Sequence, residues 1–129
     1  DYVAYVWCNM PGLCKVGMYE GSGGDASKGP FIYTGFKPAL IMIKSLDAAN
    51  DWNMQDIVRS PWNQMDGEIL QANESKSEST IGTGYQRDQL SNGFRLRNTG
   101  SETNGGEYMY IAWSSAALCN QYGGISNAH

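Results

Sequence analysis

Between Gly29 and Leu46 the chain reads GPFIYTGFKPALIMIKSL, and the proline in the middle of it constrains the fold more than any other residue. Proline cannot donate to a ladder, so Pro38 belongs at the start of a strand or at a sheet edge. The apolar run that follows, Ala39 to Ile43, is five residues long. A membrane-spanning helix needs about twenty, so this stretch reads as one strand from Ala39 to Lys44. Upstream, Phe31-Ile-Tyr33 is a second strand, broken by Gly35. Downstream, Asp47 to Asp51 is a turn, and Trp52 to Val58 alternates with Trp52, Met54 and Val58 on its inner face. The runs on either side of that turn are expected to pair as a hairpin.

The rest of the chain repeats the pattern. Tyr2 to Trp7 is apolar on both sides, as in a covered strand. Cys14 to Glu20 is a further strand, running into Gly21-Ser-Gly-Gly24. That glycine run lacks phosphate-loop spacing and precedes no helical pattern, so it is a turn. Ile69 and Leu70 make a short apolar point, and Asn73 to Thr80 reads as an exposed loop. After an Asn-Gly turn, Phe94 and Leu96 alternate with Arg95 and Arg97, and Tyr108 to Trp113 forms the last strand. No helix is expected. With 16 Gly, 8 Tyr, 4 Trp and 17% charged residues in 129, the composition suits an all-β chain. An antiparallel two-sheet β-sandwich of jelly-roll or Greek-key order is the expected architecture.

Tyr2-Val-Ala-Tyr-Val-Trp7 and Tyr108-Met-Tyr-Ile-Ala-Trp113 share a Tyr at the start and a Trp at the end. Two explanations stand. Residues 1–14 are the last strand of a preceding repeat plus a linker, with the sandwich over 15–113 and a tail over 114–129; or both strings are paired central strands of one sandwich. Residue 1 is not methionine, and under the repeat explanation the chain is a piece of a longer protein.

A net charge of −4, with nine Lys and Arg scattered singly, offers no basic stripe for nucleic acid and nothing for an anionic membrane. Cys8, Cys14 and Cys119 read as free thiols of a reducing cytoplasm rather than metal ligands, because no C-x-x-C pair exists and the one histidine is residue 129. No cofactor, metal site or catalytic group is expected. Asp51, Asp56, Asp66 and Glu68 invite comparison with paired glycosidase carboxylates, and Asp47 and Asn50 add calcium-type oxygens without the spacing of a calcium loop. Each is more simply a turn or surface charge. Flat aromatic rings beside amides and carboxylates are what a sugar ring needs, which marks Trp62, Tyr85, Trp52, Asp51 and Asn53 as candidate glycan-binding residues, with Tyr33 also considered. Trp7, Trp52 and Trp113 are expected in a core or an interface; Trp62, after Pro61, should be the most exposed tryptophan.

Five strings in order, Gly17-MYEGS-Gly23, Gly29-PFIYTGFKPALIMI-Lys44, Asp51-WN-Met54, Leu90-SNGFRL-Arg97 and Gly105-GEYMYIA-Trp113, resemble a poorly characterised C-terminal domain of tail-fibre-like structural proteins from marine and cyanobacterial tailed phages. The resemblance implies a virion component made in the host bacterial cytoplasm. It would work in assembly or host-surface attachment, with no reaction assigned, as a homo-oligomer, a trimer, beside other virion proteins. A looser likeness, through Phe36-Lys-Pro38 and Gly93-FRL-Arg97, is to H-type lectins, which are trimeric and bind sugars at subunit boundaries. The alternatives are a capsid or tail decoration protein that never meets the host, and a polysaccharide depolymerase using Asp51 and Asp56.

Overall fold

A computed structural model describes residues 2–63, 68–80 and 84–115, with the side chains of Ser79 and Thr80 left aside. Its strands are β1 (Cys14–Glu20), β2 (Phe31–Tyr33), β3 (Pro38–Ser45), β4 (Asn53–Asp56), β5 (Glu68–Gln71), β6 (Ser79–Thr80), β7 (Arg87–Leu90), β8 (Gly93–Leu96) and β9 (Glu107–Ser114). They form a large sheet in the order β1-β9-β3-β4-β5-β6 and a small one in the order β2-β8-β7. Every pairing is antiparallel. Pro38 opens β3, as its missing N–H requires. β9 returns by a long connection to lie between β1 and β3, beside the first strand of the β3–β4–β5–β6 meander.

The sheets face each other across one interior, built from Ile32 and Phe36, Ile41 and Ile43 of β3, Phe94 and Leu96 of β8, and Tyr108, Tyr110 and Ala112 of β9. The chain is an all-β sandwich. Aromatic rings fill its centre: Phe94 meets Tyr110 edge-on at 5.5 Å, and Tyr19 stacks on Tyr108 at 5.1 Å. Gly17 lies opposite Tyr110 in the β1–β9 ladder, and a Cβ there would come within 2.8 Å of that ring. The absence of a side chain lets the ring lie over the strand.

Several expectations are corrected. Tyr2 to Asn9 makes no ladder, and β9 pairs with β1 and β3 instead, so the two similar strings are not paired central strands. Residues 2–9 form an exposed arm. The β3–β4 hairpin is present, but its parity is opposite to expectation. Asn53 faces Ile43 and Gln55 faces Ile41 across the ladder, so these two amides point inward while Met54 pairs with Met42 on the outer face. A one-residue shift moves every side chain to the other face, and the uninterrupted apolar run of β3 carries no alternation to settle which way β4 must sit. Val58 lies beyond the strand, exposed. Ser79 and Thr80 pair with β5 where a loop was expected. Among the described residues, besides a 3-10 turn at Ala26–Lys28, one α-helical turn, α1 (Ser101–Asn104), interrupts the all-strand pattern. It is braced by Asn98, whose Nδ2 donates to the Gly84 and Gly100 carbonyls and to Thr103 Oγ1, and by Asn104, whose Nδ2 donates to the Asn98 carbonyl.

Candidate functional site: an aromatic cleft under the N-terminal arm

The arm is tethered where it meets β1. The Met10 carbonyl accepts from the Leu13 and Cys14 N–H groups, Gly12 takes the left-handed conformation at φ 76°, and Asn9 Oδ1 accepts from the Val16 N–H at 2.6 Å. Upstream of this turn, the Tyr5 and Trp7 rings stack at 5.7 Å and form one wall of a cleft of about 360 Å3. Met42 on the outer face of β3, Trp52 at the entrance to β4, and Ala72 and Asn73 in the turn after β5 complete it.

The wall opposite the arm is rigid for a reason legible in its hydrogen bonds. The Trp52 N–H donates to Asn73 Oδ1 at 2.8 Å, and the Ala72 N–H donates to the Trp52 carbonyl at 3.0 Å. Behind them, the two Asp51 oxygens accept from Asn73 Nδ2 at 2.8 Å and Gln71 Nε2 at 2.7 Å. Asp51 therefore locks two turns together. Asn73 still keeps one N–H and one lone pair at the rim. Three aromatic rings, a thioether and one amide suit a ligand that presents a flat apolar face with polar groups around it.

The proposed glycan residues divide. Trp52 lines the cleft, and Asp51 supports it from behind. Asn53 is fully buried and faces the interior, donating from Nδ2 to the Asp51 carbonyl at 3.3 Å. Tyr85 is 6% exposed, and burial first, then Glu102 and Asp51, pushes its hydroxyl up to about 12. Neither can reach a surface ligand, because strand parity and packing turn them inward. Trp62 is exposed, as expected, but does not line the cleft. Tyr33 is also exposed and apart from it. Asp56 accepts from the Val58 and Arg59 N–H groups and pairs with the Arg59 side chain at 3.1 Å. Cys8 is exposed and Cys14 buried, both as free thiols, and burial ahead of the neighbouring Cys8 raises the Cys14 thiol. Among the described residues no group of side chains could hold a metal ion, and no helix is long and apolar enough to cross a membrane. Asp66, Cys119 and His129 lie outside the described residues.

Tyr5, Trp7 and Asn73 escaped the sequence reading. The arm lacks a polar face and so reads as a covered strand; Asn73 opens a polar run and so reads as loop. Their shared role exists only once the arm has folded back.

A family model for a domain of unknown function (DUF7483) matches residues 1–116. The chain belongs to that family. The match takes in both walls of the DUF7483 cleft, Tyr5 and Trp7 of the arm as well as Met42, Trp52 and Asn73 of the sheet. No curated protein and no solved structure matches the chain.

Proposed function

We propose that this DUF7483 domain is an attachment module of a tailed-phage virion, a tail-fibre or related appendage domain that binds a host-surface glycan in the cleft between Tyr5, Trp7 and Trp52. The cleft carries the reading: its volume and three aromatic rings suit a pyranose ring, and the Asn73 rim supplies a hydrogen-bonding edge. The phage-like motif order supplies the virion context. The structural work done by Asp51 and Asp56 favours binding over bond cleavage. The domain acts as a homo-oligomer, a trimer in this reading, since the apolar side chains of the arm and the outer sheet face are more than one small sandwich hides.

Adsorption to host cells, or a glycan array, tests the site. Trp52→Ala and Trp7→Ala are expected to weaken binding about tenfold or more each, the scale of an aromatic anchor lost from a binding site, while Trp62→Ala leaves it unchanged. Unchanged binding in both cleft variants overturns the site. Light scattering tests the assembly, and a stable monomer at micromolar concentration overturns it.

A further inference from the structure

The arm begins an antiparallel ladder with β1 and then leaves it. Met10 and Cys14 exchange both backbone hydrogen bonds, the Met10 N–H donating to the Cys14 carbonyl at 2.9 Å and the Cys14 N–H to the Met10 carbonyl at 3.0 Å. This is the first rung of a register whose next hydrogen-bonded pairs are Cys8 with Val16, Val6 with Met18 and Ala4 with Glu20. The second rung is half made. The Val16 N–H, which in that register would meet the Cys8 carbonyl, donates instead to Asn9 Oδ1 at 2.6 Å. A side-chain oxygen stands where a strand carbonyl belongs.

The edge of β1 is set to continue that ladder. Among the described residues β1 ends the large sheet, with β9 on its other side. The Leu13 carbonyl accepts from the Ser114 N–H, and the Gly21 N–H donates to the Gly106 carbonyl, both at 2.8 Å. Odd-numbered residues of β1 therefore turn their backbone groups toward β9, and Val16, Met18 and Glu20 turn theirs away from it. These three are the residues that the Met10–Cys14 register pairs with the arm, so the hydrogen bonds on the two edges of β1 agree on one parity. The side chains fit as well: Val6, 89% exposed, would lie opposite Met18, 67% exposed, and each would cover the other. On its far edge β1 already accepts a string of the same kind, since Tyr108 to Trp113 of β9 matches Tyr2 to Trp7 in its first and last residues.

We infer that the edge of β1 away from β9 is a second seat for the arm of the same chain: Ala4, Val6 and Cys8 zip onto Glu20, Met18 and Val16 as an added antiparallel strand, and the arm exchanges between this edge and the cleft wall. The occupant is the chain's own arm because its first rung is already made in that chain. The two seats exclude each other. Residues directly opposite in a ladder share a face, so zipping sets Tyr5 opposite Tyr19 and Trp7 opposite Gly17, on the side where Tyr19 stacks on Tyr108. Met42 and Trp52 then lose one wall, and the cleft exists only while the arm is unzipped. A ligand that fills the cleft draws the arm off β1, because it binds one of the two states. That control over glycan binding rests on the attachment reading, whereas the second seat does not.

Cysteine trapping in the full chain tests the seat. In a background of Cys8→Ala, Cys14→Ala and Cys119→Ala, the pair Val6→Cys and Met18→Cys sets two thiols opposite each other in the zipped register, within reach of a disulfide. Oxidation by glutathione disulfide is expected to join them within one chain about tenfold faster than Val3→Cys with Met18→Cys, which that register places on opposite faces. Equal rates in the two pairs, or bonds only between chains, overturn the seat. Amide exchange gives a second readout on a chain with its native cysteines. The Met18 N–H is expected to be protected, and Val6→Pro, which cannot take a rung, is expected to remove the protection; the same Met18 exchange rate in both chains overturns the seat. The trapped arm is expected to lose glycan binding and to recover it on reduction. Glycan bound equally in both forms overturns the cleft as the glycan site and leaves the seat standing.

Discussion

The large sheet carries apolar side chains on both faces, and the two faces are packed in different ways. On the inner face Ile41, Ile43, Tyr108, Tyr110 and Ala112 interlock with Phe94 and Leu96 of the small sheet and are buried. The outer face carries Leu40, Met42, Met54, Leu70, Met109 and Trp113, half-buried, with Met18 at 67% exposure. Ile111, between Val16 and Met42 in the ladders, and Cys14, opposite Trp113, are covered. At the Met42–Trp52 end this face meets the arm without closing on it, and the cleft remains. Hydrophobicity alone therefore does not tell core from contact surface. Branched and aromatic side chains with defined rotamers build the interior, whereas unbranched methionines, which adapt to whatever covers them, dominate the other side.

Perturbing each face should separate them. The largest effect is expected from Phe94→Ala, which removes the ring joining the sheets: ~3–5 kcal/mol of stability lost in urea denaturation. A loss under ~1 kcal/mol would mean that the rings are not the core. A finer test uses two residues adjacent in β1. Gly17→Ala pushes a methyl into the Tyr110 ring and should cost ~1–3 kcal/mol as overpacking. Met18→Ala, one residue on and facing outward, should stay within ~0.5 kcal/mol. Equal costs in thermal unfolding would break the distinction between the faces. The glycan-binding and oligomer measurements then ask what the outer face is for.

Much of the fold was legible because strand signals are local. The proline at the head of β3, the Asn-Gly turn before β8, and the alternation of Phe94 and Leu96 with Arg95 and Arg97 each appear where the residues place them. β7 was not legible: Arg87-Asp-Gln-Leu90 has the polarity of an exposed segment, yet Arg87 is among the most deeply buried side chains. The arm failed in the opposite sense, since an apolar string reads as a covered strand even when no ladder receives it. Trp52 was legible as a candidate because aromatic character is visible in isolation, and it lines the cleft. Its partners Tyr5 and Trp7 lie some forty-five residues earlier in the chain, and nothing local joins them.

The amino-acid sequence by itself determined that this chain forms short strands between glycine- and asparagine-rich turns, closed around an apolar interior, because backbone preference and turn chemistry act over a few residues. Which face of β4 looks inward, that Arg87 is buried, and that the arm folds back over Met42 and Trp52 were decided only by the tertiary structure. Register is a relation between strands, set by which pairing buries the most area, and no strand carries that information alone.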